Sequence, residues 1–288
     1  LKIIDYSTLK GKKLNTLSKK LLDICILNVS QTLVHGSTTP NNRYVSLTVE
    51  ELAELMNQPL ETSKQREKFI ERVYDGMKQL RHLSWRQSNE NKIKKISDLN
   101  YVEIMLFECT GKDKNAFKFV FTPSAARILA CSPVCESFPT NLFKLDNRYG
   151  NAYEIGRKMI RHTNINSNRS IGTENTLSVN KLIENSEIPT FKEVIEIQKR
   201  RDWKEQIKKP FENSLNHLKN VNVLSRWEYR TPSGESLTPE QADKLNALEF
   251  QSLVVDFAVS YSEEEQSKRL KTDKKLIEKK KKSNETNG

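Results

Sequence analysis

Long apolar runs, paired histidines and clustered cysteines are all missing from this 288-residue chain, and each absence removes a class of function. No stretch approaches the ~18 consecutive apolar residues of a membrane-crossing helix. The opening LKIIDYSTLKGKKL has neither the apolar core nor the small-residue cleavage site of an export signal. A first residue of Leu1 rather than Met leaves room for a trimmed upstream piece, and the expected location is cytoplasmic.

Only four cysteines occur: Cys25, Cys109, Cys131 and Cys135. Cys131 and Cys135 form a CxxxC with no second ligand pair at matching spacing, so they read as small hydrophobes in a reducing compartment rather than a zinc site. The histidines, His35, His82, His162 and His217, stand apart from one another, whereas a rolling-circle nicking site needs two separated by one residue. GKK at 11–13 and TGK at 110–112 lack the spacing and the hydroxyl of a phosphate-binding loop, and no carboxylate cluster marks a two-metal nuclease. The expectation is a binding protein and not an enzyme, with no cofactor and no metal.

Acidic residues are in deficit. Lys and Arg number 48 against 37 Asp and Glu, for a net charge of +11, which favours a polyanionic partner, nucleic acid first. The length suits two domains, each able to bury its own core.

Periodicity gives three helices before any clear sheet. Residues 17–32 carry Leu17, Leu21, Ile24 and Leu27 at helical spacing. LTVEELAELMNQP (47–59) forms a second helix, capped by Ser46 or Thr48 and closed by Pro59. KQREKFIERVYDGMKQLRHL (64–83) forms a third, with Phe69, Val73, Met77 and Leu80 on one face. Strands follow around Trp85, then over 101–109 and 116–123, with the basic loop SNENKIKKISDLN between the first two.

The order then recurs. LSVNKLIENSEIP (177–189) matches 47–59 at an offset of 130 in Leu, a hydroxyl residue, Val, Leu and the closing Pro. RYGNAYEIGRKMIRHT (148–163) precedes it, as the first helix precedes the second. After it, Phe211, Leu215, Leu218 and Val221 fall where Val73, Met77, Leu80 and Leu83 fell, at an offset of 138. A strand with Trp227, a polar loop over 230–247 and a return strand over 250–259 complete the second half. A repeat of this size indicates a duplicated domain. Three helices followed by a β-hairpin make a winged helix, whose third helix enters the major groove of duplex DNA.

The candidate contacts follow from that frame. In the first half they are Lys64, Gln65, Lys68 and Arg72 on the third helix, with Arg86, Lys92, Lys94 and Lys95 in the wing. In the second half, QKRRDWKEQIKKPF supplies Lys199, Arg200, Arg201, Lys204, Lys208 and Lys209, and the wing supplies Arg230. Lysine and arginine pair with phosphates or guanine edges, and glutamine with adenine. The same charges also suit a solvated helix face. Like charges crowded on one helix repel, and a phosphate-rich partner relieves that repulsion. Pro210, inside this helix, is expected to kink the basic segment away from FENSLNHL.

FKLDNRYGNAYEIGRKM (143–159) and WKEQIKKPFENSLNHLKN (203–220) resemble the plasmid replication initiators of the two-winged-helix Rep type, in which a basic helix with an internal proline precedes an apolar stripe. The likeness is strongest over 143–230; Gly150 and Asn151 replace bulkier or basic residues, and the loop between Trp227 and Phe250 is longer than usual. The resemblance implies binding to double-stranded DNA at origin repeats, mainly by the second domain. It also implies a homodimer through the first domain and recruitment of host replication proteins such as a helicase or its loader.

The expected fold class is α+β: two tandem winged-helix domains related by internal duplication, over 1–136 and 137–262. A basic, largely disordered tail over 263–288 follows, as nonspecific tether or solubilising segment. Two other readings stay open, a dimeric winged-helix transcriptional regulator and a phage or structural adaptor whose winged helices bind protein.

Overall fold

The computed structural model describes residues 9–10, 14–32, 43–81, 83–88, 101–112, 115–130, 138–167, 175–184, 186–197 and 202–262. The chain divides into two compact units, Leu1–Cys135 with Asp146–Arg148, and Glu136–Leu145 with Tyr149–Gly288. Each mixes helices with small antiparallel sheets, so the fold class is α+β. The basic tail lies outside the described residues. No described helix is long and apolar enough to cross a membrane.

The first unit runs β1 (Leu9–Lys10), α1 (Thr16–Thr32), β2 (Tyr44–Thr48), α2 (Val49–Leu55), α3 (Ser63–Leu80), β3 (Ser84–Ser88), β4 (Tyr101–Met105), β5 (Phe107–Lys112), β6 (Ala116–Phe121) and α4 (Pro123–Ala130). Helix α2 starts on Thr48, whose hydroxyl accepts from the Glu51 N–H while the Glu51 carboxylate accepts from the Thr48 N–H. Helix α3 starts the same way on Thr62 and Gln65. Its buried stripe, Phe69, Val73, Gly76, Met77 and Leu80, packs against α1. The approach is close because Gly76 has no side chain: a Cβ there would stand 2.9 Å from Leu21 Cδ1.

Two separate sheets follow, ordered β1-β3-β4 and β2-β6-β5. This corrects two expectations. The run 101–109 is not one strand, because the chain changes sheets at Leu106, which is 1% exposed. The Leu106 N–H donates to Leu83 O and its carbonyl accepts from the Thr122 N–H, each at 3.0 Å, so it is tied to both sides. The hairpin that follows β2 in its own sheet is therefore β5–β6, while β3 and its Trp85 belong to the other sheet.

The second unit opens with a 3₁₀ turn (Thr140–Lys144) and continues through α5 (Gly150–Ser167), β7 (Thr176–Ser178) and α6 (Val179–Ile183). Two π-helical turns (Lys192–Ile197 and Lys204–Lys208) lead to α7 (Lys209–Asn220), β8 (Leu224–Arg230), β9 (Ser236–Leu237), α8 (Pro239–Lys244), α9 (Ala247–Ser252) and β10 (Val254–Val259). Ser178 caps α6, accepting from the Lys181 N–H, in the place that Thr48 holds ahead of α2. Helices α5 and α7 meet at Gly156, where a Cβ would lie 2.6 Å from Leu218 Cδ2 and 2.8 Å from Leu142 Cδ1.

The sheet order is β7-β10-β8-β9. The strand before the short helix thus pairs with the last strand, which pairs with the strand after the long helix. In the first unit β2 likewise precedes the short helix and pairs with β6, the last strand, which pairs with β5; the strand directly after the long helix, β3, lies in the other sheet.

Two further expectations change here. Pro210 does not interrupt a helix but occupies its first turn, with a π-helical turn before it. The span 230–247 is not a plain loop, since Thr238 with Gln241 and Asn246 with Glu249 form capping boxes that start α8 and α9.

Candidate nucleic-acid interface

Lys64 and Lys68 stand exposed in the opening turns of α3, opposite the buried stripe. Gln65 is half-buried and committed to its cap: its Oε1 accepts from the Thr62 N–H at 2.9 Å. Arg72 is exposed and donates to Gln58 Oε1 at 3.2 Å. Arg66 of the same helix pairs with Glu50 of α2, and this guanidinium holds the Glu50 carboxyl below its ordinary range. The free cationic surface of α3 is thus its first turns.

Arg86 falls within β3, its side chain outside the described residues. Lys92, Lys94 and Lys95 also lie outside them, as do Lys199, Arg200 and Arg201.

The rest of the second basic segment divides sharply. Lys204 is exposed, and its Nζ donates to the Asp243 carbonyl at the end of α8, at 2.5 Å. Lys209 is exposed and pairs with Glu205 at 3.0 Å, one turn away. Lys208 points inward instead. Its side chain is only 7% exposed, and its Nζ stands 2.7 Å from both Glu212 Oε1 and Asp243 Oδ1.

Burial opposes the charge on Lys208, yet the hydrogen bonds to Asp243 and Glu212 outweigh it, and the ammonium is held above its ordinary value. The hydrogen bond from Lys208 correspondingly depresses Asp243. Glu212 also accepts from the buried Tyr229 hydroxyl at 3.2 Å. Lys208 therefore belongs to a polar network joining α7, β8 and α8, beside Phe250, and not to an open groove face.

Arg230 is paired in a similar way. Its Nη2 reaches Asp256 Oδ2 at 2.5 Å and Glu228 Oε1 at 3.0 Å, and the Asp256 side chain is 5% exposed. Arg226, two residues earlier, reaches the other oxygen of Asp256 at 3.3 Å while staying 56% exposed. It is the outward cation of this strand face, and sequence reading passed it over. The available signal was Asp256 itself, a lone carboxylate in the apolar run VVDFAV, which burial obliges to find partners. Asp243 and Glu212 carry no such mark, since nothing local distinguishes them from surface acids.

Among the candidate contacts that the structure describes, Lys64, Lys68 and Arg72 in the first unit and Lys204 and Lys209 in the second are exposed, with Arg226 a further exposed cation on β8. Among the described residues no group of His, Cys, Asp and Glu could hold a metal ion.

No family model and no curated protein matches the chain. Its structure is similar to that of RctB domains 2-3, with a TM-score of 0.45 and 10% identity over 91% of this chain and 88% of that one. A selenomethionine form of domains 2 and 3 of RctB gives a TM-score of 0.42 and 10% identity over 87% and 85%.

Proposed function

We propose that this chain is a double-stranded DNA-binding replication initiator of a plasmid or similar mobile element, built from two winged-helix domains. The observation that carries the reading is the shared strand order. In each unit the strand before a capped short helix pairs with the last strand of its sheet, which pairs with a strand that follows the long helix, and exposed cations lie on the long helix or at its start. Such a frame presents a helix about 10–12 Å across to a major groove of similar width. The net charge of +11 supports a polyanion as partner, and the Rep-type resemblance over 143–230 supports origin repeats as the site.

On this reading the second unit binds repeated sites, the first adds contacts and a dimer interface, and the bound array opens adjacent duplex and recruits host replication proteins. The test is selection from a random 30-bp duplex library by the full chain, followed by footprinting on DNA flanking its gene. Protection of several direct repeats supports an initiator. A single inverted repeat favours the dimeric regulator, and no selected duplex leaves the protein-binding adaptor.

A further inference from the structure

Pro210 stands in the first turn of α7, immediately after the π-helical turn Lys204–Lys208. A proline has no N–H for the α-register bond to Gln206, and its ring crowds the carbonyl four residues back. The backbone widens here: the Lys209 N–H donates to the carbonyl of Lys204, five residues back.

The apolar spacing calls for the same widening. Trp203, Ile207, Phe211 and Leu215 recur every four residues, and at 3.6 residues per turn each such step runs ahead by about 40°. Ile207, Phe211 and Leu215 are nonetheless all 0% exposed. Trp203 packs 5.4 Å from Phe250 and 6.3 Å from Phe191, centroid to centroid. The extra residue of the π turn absorbs the lead, so one continuous stripe stays inward on both sides of Pro210. Lys208, the last residue of the turn, is pinned to Glu212 and Asp243.

We infer that Pro210 is a positioning residue for DNA binding: it fixes the π-helical turn, and that turn sets the direction in which Lys204 leaves the helix relative to the core stripe Phe211, Leu215 and Leu218. The inference rests on the DNA-binding reading above. Collapse of the turn into α-register rotates the segment carrying Lys204 by one residue step, about 100°.

The test titrates the full chain, at fixed salt, onto the duplex that it selects from the random library. Three forms are compared: native, Pro210→Ala, and Pro210→Ala with Gln206 deleted. The deletion removes one residue from the turn and so restores the native phase within a plain α-helix. The Gln206 side chain donates to Asp202, within the same segment, and Gln206 is not part of the buried stripe.

Pro210→Ala is expected to weaken binding by about tenfold or more, the scale of one lost specific contact. The deletion is expected to recover most of that loss, together with any fall in melting temperature that the misphased segment causes. Native-like binding by Pro210→Ala, or a loss that the deletion does not recover, overturns the inference. A native chain that selects no duplex overturns the DNA-binding reading beneath it, which is a separate failure.

Discussion

Lys208 Nζ lies 2.7 Å from Asp243 Oδ1 and equally far from Glu212 Oε1, so a lysine in the middle of a basic run serves as the pin between α7 and α8. The density of lysines around Pro210 thus has two physical origins. Lys208 faces inward with its charge met by two carboxylates, while Lys204 and Lys209 are exposed at the surface. Charge counting along a sequence cannot separate the two, because the partners lie 35 residues away in the case of Asp243.

The pin gives a pH dependence of known sign. The Asp243 carboxyl is held below its ordinary value by Lys208, so its contribution is complete above pH about 4 and is lost as pH falls through the depressed folded value. Asp243→Asn is expected to lower the melting temperature of the second unit at pH 7. Thermal unfolding between pH 7 and 2 checks this, and the difference between native and variant should vanish at the acid end.

Lys20, in α1, titrates the other way. It is 1% exposed, and burial brings its ammonium down to about 8 against a smaller opposing pull from Asp146. The unfolded chain holds that proton more tightly, so stability is fully recovered only above about pH 10.5 and falls as pH drops toward 8. The penalty at neutral pH is roughly 3 kcal/mol. Lys20→Met is expected to raise the melting temperature of the first unit at pH 7 and to lose most of that advantage by pH 10. Calorimetry at both values decides it.

Gly156 and Leu218 form a testable pair between α5 and α7. Gly156→Ala puts a methyl 2.6 Å from Leu218 Cδ2 and is expected to cost about 1–3 kcal/mol by overpacking. Leu218→Ala, at a position 0% exposed, is expected to cost about 2–5 kcal/mol. The double variant should be clearly less damaging than the sum, since the added methyl fills space that the leucine vacated. Chemical denaturation of all three variants measures the coupling.

Arg230 and Lys64 are expected to fail in different ways. Arg230→Ala leaves the buried carboxylate of Asp256 with only Arg226 beside it, so the loss should appear in stability before DNA affinity. Lys64→Ala should leave the melting temperature unchanged and weaken binding alone. Parallel melting and binding curves separate the two outcomes.

Much of the helical frame was legible in the sequence because its signals are local. The α3 stripe could be read directly, as could the cap at Thr48 and its counterpart Ser178, since each lies within one turn of what it determines. The capping boxes at Thr238 and Asn246 carried the same kind of signal inside what reads as a polar loop.

Strand partnership was not legible. Neither β3 nor β5 carries a local mark of its partner strand, and the chain passes between their sheets at the buried Leu106. Nor was the π turn, where Pro210 reads as a kink until the four-residue spacing of Trp203, Ile207 and Phe211 is set against an unbroken core.

The most direct test of the central reading is the salt dependence of duplex binding by the native chain, by Lys64→Ala with Lys68→Ala, and by Lys204→Ala. If both units grip DNA, the native chain shows a steep linear fall of log K with log salt, and each variant lowers the slope by about one per lost phosphate contact. A slope that neither variant moves would contradict the assignment of these helices to the DNA.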